Sequence, residues 1–441
     1  MKSLCMVATL AVCSAWTIGV SAQNYESPYG GPRLASANGM YQPTIATPGR
    51  ISAQTQSANP IAPEPDLQAA PNANWEHAPQ HAASNGGCNG SANGSSECSS
   101  AYGGCLSQGM WGGCCPNFYV NAKGLVMTRD KPNTFVTTYE TGNNVNQLQG
   151  TADASAGWGG GFEIALGWNM DCQNALEISY FGLWGMKGSA DMYDDNNTLS
   201  TPINNGQVDL PDNTNPAANF FDSAREHRIT RSDEAHNIEL NWIYHACGNQ
   251  SCCRAVNVDI LAGVRYFRFS EKLEFASLAG TTAVGNHLGD DPSKEAYLNV
   301  DTENNMVGFQ LGSKVDWKVC DCFSLYATPK FGVYGNHATS HSRLTRGDGE
   351  QGIFTDTGNT FDVRGNKNCI SFLASADVGM NYDITCNWSI YGGYRVMAAT
   401  NVALSDNQIY PYLAGESDFQ SLKSNGSLIL HGAFMGTEFR W

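Results

Sequence analysis

Cysteine has the most chemistry to offer in this chain, and its placement is uneven. Of the 15 cysteines, Cys5 and Cys13 fall in the first 22 residues. Cys88, Cys98, Cys105, Cys114 and Cys115 crowd one Gly/Ser-rich stretch. Cys172, Cys247, Cys252, Cys253, Cys320, Cys322 and Cys386 sit at short connections between apolar runs, and Cys369 stands apart. The adjacent pairs Cys114-Cys115 and Cys252-Cys253, and the one-residue gap in Cys320-x-Cys322, lack the spacing with which structural zinc is held. No metal site is expected. In an oxidising compartment the cysteines from Cys88 to Cys115, and those at the connections, are disulfide candidates. Removing Cys5 and Cys13 leaves an odd number, so one thiol is free or shared between molecules. The partners this implies are disulfide-linked envelope proteins or a second copy, an expectation that monomer alone on non-reducing electrophoresis would remove.

Acid–base chemistry has fewer candidates. Asp191, Asp194 and Asp195 share one polar stretch that ends at Asp233 and His236. An aspartate and a histidine at one rim could activate water, and three carboxylates could hold Ca²⁺. Nothing in the spacing fixes these groups against each other, and the alternating ligands and turn glycine of an EF-type loop are missing. The chain is expected to be no enzyme and to carry no cofactor. Its formal charge of −16 excludes phosphate-backbone binding, so no nucleic acid partner is expected either.

Period-two patterning must position whatever the chain does. Val307, Phe309, Leu311, Val315, Trp317 and Val319 alternate with Gln310, Lys314, Asp316 and Lys318. Val256, Val258, Ile260, Ala262, Val264 and Tyr266 alternate with Asn257, Asp259 and Arg265; Phe323, Leu325, Ala327, Phe331 and Val333 with Ser324, Thr328 and Lys330. Further runs start near Phe118, Gly157, Ala175, Ala235, Ile370, Trp388 and Ser427. Such alternation reads as strands wet on one side and apolar on the other. Short turns fall near Asn169–Asn174, Ala246–Cys253, Val319–Cys322 and Ile384–Asn387. Long polar stretches fall at Asp130–Ser155, Gly188–Asp233, Glu271–Asn305, Asn336–Asn368 and Thr400–Asn425. Alternating short and long connections put all tight turns on one face. No stretch is long and apolar enough for a membrane helix.

The fold class expected is therefore all-β: an antiparallel up-and-down transmembrane β-barrel of about ten strands, twelve if two were missed, preceded by a signal peptide and a disordered arm. The partner of its outer face is outer-membrane lipid. The inward set is Lys123, Glu163, Glu177, Glu239, Asp259, Arg265, Lys314, Asp316, Lys318, Lys330, Asp377, Arg395, Glu438 and Arg440. Both signs are interspersed, and side chains nearly fill a barrel this narrow, so salt bridges closing a polar lumen are expected ahead of an open ion path. Trp168, Trp184, Trp242, Trp317, Trp388 and Trp441 read as aromatic girdles at the two interfaces. A terminal strand ending on Phe439 and Trp441 suits such a barrel.

At the other end, Lys2, the apolar run Leu4–Val20 and the small-residue site Val20-Ser21-Ala22 read as an export signal over 1–22. Its removal takes only Lys2 from the charged residues. An Ala/Pro/Gln/Asn/Ser-rich arm over 23–87 has too few large apolar residues to fold. The Cys/Gly/Ser-rich segment 88–116 and the barrel domain 117–441 follow. The localisation expected is the outer membrane, with the arm in the periplasm.

Several segments resemble a porin-like outer-membrane β-barrel family of planctomycete bacteria. They include Gly124-Leu125-Val126-Met127-Thr128-Arg129-Asp130, Leu261-Ala262-Gly263-Val264-Arg265-Tyr266-Phe267-Arg268-Phe269 and Val307-Gly308-Phe309-Gln310-Leu311-Gly312. Others are Pro329-Lys330-Phe331-Gly332-Val333-Tyr334-Gly335-Asn336-His337, Tyr391-Gly392-Gly393-Tyr394-Arg395-Val396 and Val402-Ala403-Leu404-Ser405-Asp406-Asn407-Gln408-Ile409. The resemblance covers about Asn117 to Trp441. It implies a porin-like or structural envelope barrel and no defined substrate. The alternative from another class is a surface binding or adhesion module working through its long acidic external loops.

Overall fold

In lipid, where water cannot satisfy a free edge, a strand is stable only when both its edges are paired, and ten strands achieve this by closing on themselves. The computed structural model describes residues 117–132, 134–171, 173–203, 207–210, 215–246, 256–320, 322–385, 387–410 and 415–441. The barrel strands are β1 (Phe118–Arg129), β2 (Gly159–Asn169), β3 (Asn174–Tyr193), β4 (Glu226–His245) and β5 (Val256–Leu278). They continue with β6 (Glu295–Cys320), β7 (Phe323–Arg346), β8 (Asp362–Asp383), β9 (Trp388–Val402) and β10 (Gly426–Arg440). Each pairs antiparallel with its sequence neighbours, and β1 pairs with β10 to close the cylinder. The closing register runs from Tyr119↔Arg440 to Arg129↔Leu430, and Phe118 and Trp441 exchange backbone hydrogen bonds of 3.1 and 3.0 Å. The export signal, the arm and the 88–116 segment lie outside the described residues.

Two of the tight turns are held by short polar side chains. Asp171 Oδ1 accepts from the amides of Gln173 and Asn174 at 2.7 Å, and Thr385 Oγ1 accepts from those of Asn387 and Trp388. On this side Trp168, Trp242, Trp317, Trp388 and Trp441 all lie exposed on the outer surface. Trp441 stacks on Phe118 and Phe439. Trp158 and Trp184 mark the opposite rim, in ring contact with His431 and His236 respectively. Between the rims the outer surface is apolar, with Phe162, Leu240, Val264, Phe309, Phe331 and Phe372 exposed.

The wall is not of even height. β1 and β2 have 12 and 11 residues and β9 and β10 have 15, whereas β5, β6 and β7 have 23, 26 and 24. The tall side corrects the sequence reading, which assigned Glu271–Asn305 and Asn336–Asn368 to loops. Pairing continues to Leu278↔Glu295 and to Arg343↔Asp362. The reason is a change of phase. Within the band, Val264 and Phe309 face out and Arg265 and Gln310 face in; above it, Phe267, Phe269, Leu273 and Phe275 are buried inside while Arg268, Ser270, Lys272 and Glu274 look outward. β6 does the same, with Leu298, Val300 and Met306 inside and Asp301, Glu303 and Asn305 outside. A strand that leaves lipid for water must turn its apolar positions inward. The alternation persists while its sense reverses.

Inside the tall wall the connections form a cap. Two small sheets, 136–140/143–150/199–200 and 208–210/215–216/353–354, pack with a short helix, Ala218–Phe221. Their apolar residues join those of the wall in one core that includes Leu210, Phe221, Phe275, Leu344, Phe354 and Phe361. Burying each such side chain contributes roughly 1.5–3 kcal/mol.

Candidate functional site: a lumen closed in three layers

Every charged residue assigned to the lumen from the sequence lies on the inner face of its strand, opposite the lipid-facing positions. The nearest layer to the tight turns is polar. At its mouth His245 Nδ1 lies 2.8 Å from Asp259, Lys314 lies 3.6 Å from Asp316, and Arg440 pairs with Glu438. Lys318 projects from the same face of β6. Deeper in, Arg395 on β9 grips Asp377 of β8 through Nε and Nη2 at 2.7 and 2.6 Å. Its Nη1 reaches Glu163 of β2 at 2.5 Å. Lys123 on β1 completes the set, 2.5 Å from Glu163 and 3.8 Å from Asp377. A second set surrounds Glu239, which takes Lys330 at 2.7 Å, Gln310 at 2.8 Å and Asn241 at 3.0 Å, with Arg265 at 3.6 Å. Glu177 accepts from Tyr119 at 2.8 Å. Arg395 and Lys123 also sit over the Phe434 ring, so the top of this layer is already aromatic.

The middle layer departs from the expected polar lumen. Leu125, Met127, Phe181, Leu183, Phe267, Leu373, Met397, Leu430 and Phe434 are buried here as one cluster. The hollow among Phe267, Leu373, Met397, Leu428 and Leu430 has no room for a water molecule. These positions are apolar on strands whose outer faces are also apolar, so alternation gives no contrast by which the sequence could reveal them.

The third layer is contributed by the connection between β9 and β10. The ladder breaks with a register shift between Thr400 and Val402, and Asn401 takes a left-handed backbone (φ 56°). Its side-chain amide donates to the Ile370 carbonyl at 2.9 Å. The chain then turns inward, and Val402, Ala403, Leu404, Ser405, Asp406, Gln408 and Ile409 are all buried. Asp406 receives Arg231 of β4 in a fork, Nη2 to Oδ1 at 2.5 Å and Nη1 to Oδ2 at 3.2 Å. Arg231 also pairs with Glu271, and Arg129 reaches Glu271 at 3.0 Å and Asp233 at 3.2 Å. The backbone amide of Ser405 donates to Glu271 at 2.9 Å, and Ala403 and Asn304 exchange two hydrogen bonds of 2.8 Å. The polar composition of Thr400–Asn425 predicts an external loop throughout, whereas Val402–Ile409 turns inward. The signal that could have found the plug is the apolar Val402-Ala403-Leu404 directly after a strand end.

A closed antiparallel wall, an outward apolar band between aromatic rims and an inward charge network are what a membrane barrel requires. The family model described as Putative beta barrel porin-7 (BBP7) matches residues 110–439. The chain belongs to this family. No curated protein matches its sequence. Among solved structures, this BBP7 chain is similar to the outer membrane protease OmpT of Escherichia coli, at 12% identity and a TM-score of 0.36 over 74% of this chain and 97% of that one. It is similar to a major outer membrane protein of Thermus thermophilus, at 12% identity and a TM-score of 0.25 over 73% and 99%. The toluene transporter TbuX of Ralstonia pickettii matches at 10% identity and 0.29 over 74% and 90%. As a member of an outer-membrane porin family, the BBP7 barrel resides in the outer membrane.

The acid–base candidates of the BBP7 chain are not brought together. Asp233 points into the third layer, whereas His236 faces outward, 3.1 Å from the Tyr180 hydroxyl and against the Trp184 ring. Asp194 caps the amides of Asn196 and Thr198, Asp195 pairs with Arg225 at 3.2 Å, and Asp191 lies 3.9 Å from Arg228. Of the cysteines, Cys320 and Cys322 are exposed at one turn, and Cys322 has no disulfide partner among the described residues. Cys369 donates from Sγ to the Asn401 carbonyl at 3.4 Å. Cys88, Cys98, Cys105, Cys114, Cys115, Cys172, Cys247, Cys252, Cys253 and Cys386 lie outside the described residues.

Proposed function

We propose that this BBP7 chain is a closed envelope barrel: a structural, porin-like component that seals its own lumen and carries a folded external cap. The observation that carries this reading is the succession of salt-bridged, apolar and plugged layers across one narrow cylinder. Ten strands enclose an interior that side chains can fill, unlike the aqueous channel of a 16-stranded porin. We infer also that residues 1–22 direct export and are removed, and that the 23–87 arm lies in the periplasm with the Asn117 end of the barrel; an intact N-terminus in protein purified from outer membranes would refute the first. Single-channel recording in planar bilayers at neutral pH tests the main reading. The protein should insert and shift its gel mobility on heating, yet give no stepwise conductance. Steps of conductance would overturn it.

A second reading, of a surface binding module, is favoured by the cap itself. Loops that serve only as connections need bury no core, whereas these share one with the strands of the wall. A chain with the cap sheets deleted, still heat-modifiable but no longer bound by cells that bind the full chain, would support it.

A further inference from the structure

The segment Val402–Ile409 closes the top of the lumen, and its Val402 and Leu404 join the apolar cluster of the middle layer. Its charges set it apart. In the lower layer Lys123 and Arg395 face Glu163 and Asp377, and Arg265 and Lys330 face Glu239 and Glu177; each set is formally neutral. In the upper layer the wall is also balanced before the plug arrives, with Arg129 and Arg231 against Asp233 and Glu271. Asp406 then adds a third carboxylate to two guanidiniums, and all five side chains are at most 1% exposed. An excess negative charge in a dry enclosure is far costlier than a neutral group, and the usual relief is a proton. Asp233 Oδ1 is enclosed there with no hydrogen-bond partner, while its Oδ2 takes Arg129.

We propose that the plug is held by a proton: seating Asp406 against Arg231 takes up one proton into the Asp233/Glu271/Asp406 set, and its loss as the exterior turns alkaline releases the segment about Asn401. The groups facing the set are Arg129 from β1, Arg231 and Asp233 from β4, Glu271 from β5 and Asp406 from the plug. β6 contributes Thr302 and Asn304 and β7 contributes Asn336, none of which titrates. The Thr151 carbonyl accepts from Arg231, and Asp130, beside Arg129, turns away to accept from the Ile429 amide. The polar anchors of the segment are the Asp406 carboxylate, the Ser405 amide and the Ala403–Asn304 pair, while Val402, Leu404 and Ile409 are buried against the wall. Losing the balance of charge therefore removes the polar part of the seat. The inference builds on the closed-barrel reading only in taking the two lower layers as permanent.

The test is amide hydrogen exchange over 402–409 in detergent-folded protein between about pH 6 and pH 8.5, normalised to intrinsic exchange rates. A closed state holding one extra proton predicts that opening rises by up to about tenfold per pH unit, while β5 and β6 amides stay protected. Asp406→Asn keeps an acceptor for Arg231 and leaves the set neutral, so its protection should not change with pH. Asp233→Asn neutralises the same set from the wall and serves if the first variant does not fold. A flat wild-type profile, or a variant that opens as the wild type does, overturns the proposal. Either result leaves the conductance test of the closed barrel standing, and conductance at neutral pH would sink that reading without touching the exchange profile.

Discussion

Arg395 bridges three strands' worth of charge, holding Asp377 next door and Glu163 across the lumen. Removing one partner from a buried ionic set leaves the others uncompensated, at about 3–5 kcal/mol. Arg395→Met should therefore lower the stability of the detergent-folded barrel to denaturant by that much, and pairing it with Glu163→Gln and Asp377→Asn should recover part of the loss. His227 behaves differently. It sits at the end of β4 away from the tight turns, above the apolar band, with Nδ1 2.9 Å from the Thr138 hydroxyl and Nε2 3.1 Å from the Phe221 carbonyl. Burial pushes its pKa down from 6.5 to about 3. The folded cap thus holds it neutral while the unfolded chain takes up a proton. Stability is full above about pH 6.5 and falls on acidification, by at most about 1.4 kcal/mol per pH unit, until about pH 3. The cap's melting temperature should drop between pH 7 and pH 4.5, and His227→Gln should flatten that slope. At this scale the facing of Lys123 or Glu163 was legible from period two alone. That Arg395 would meet Glu163 was not, because the partner across a cylinder depends on how many strands close it and with what stagger.

At the scale of the strand, the reversal of alternation marks where lipid stops. Phe309 lies exposed within the band, and Thr339 faces outward from β7 above it. A lysine at the first position must enter hydrocarbon and should cost about 2–4 kcal/mol, whereas at the second it meets water and should cost close to nothing. Phe309→Lys and Thr339→Lys, compared by urea unfolding in lipid vesicles, check this; equal costs would place the boundary elsewhere. The strand starts near Phe118, Trp388 and Ser427 and the tight turns could be read in advance, since the band supplies strong contrast there. Glu295–Met306 and Asn336–Arg346 could not be recognised as strand by the same rule. Their outward residues are polar and their inward ones mix Asn304, Thr302 and Ser340 with Leu298 and Leu344, so a search for apolar-out alternation sees only polarity. A search for the inverted phase would have extended β5, β6 and β7 to their observed ends.

Taken whole, the described barrel is a cylinder with one high side. Up to the band its order was legible, since alternating connection lengths require the topology seen. Above the band, the shape depends on long-range packing of Phe221, Phe275, Phe354 and Phe361, whose positions in sequence give no hint that they meet. The uneven rim also ranks the joints of the wall by strength. β2 is joined to β1 only from Phe118↔Trp168 to Met127↔Gly159 and to β3 only from Gly160↔Trp184 to Asn169↔Ala175, while β5 and β6 are stitched from Val256↔Trp317 to Leu278↔Glu295. Tension applied sideways in the plane of the bilayer loads every joint alike, so the shortest parts first. The cylinder would tear along an edge of β2, and the tall sector from β4 to β8 would stay together as one sheet.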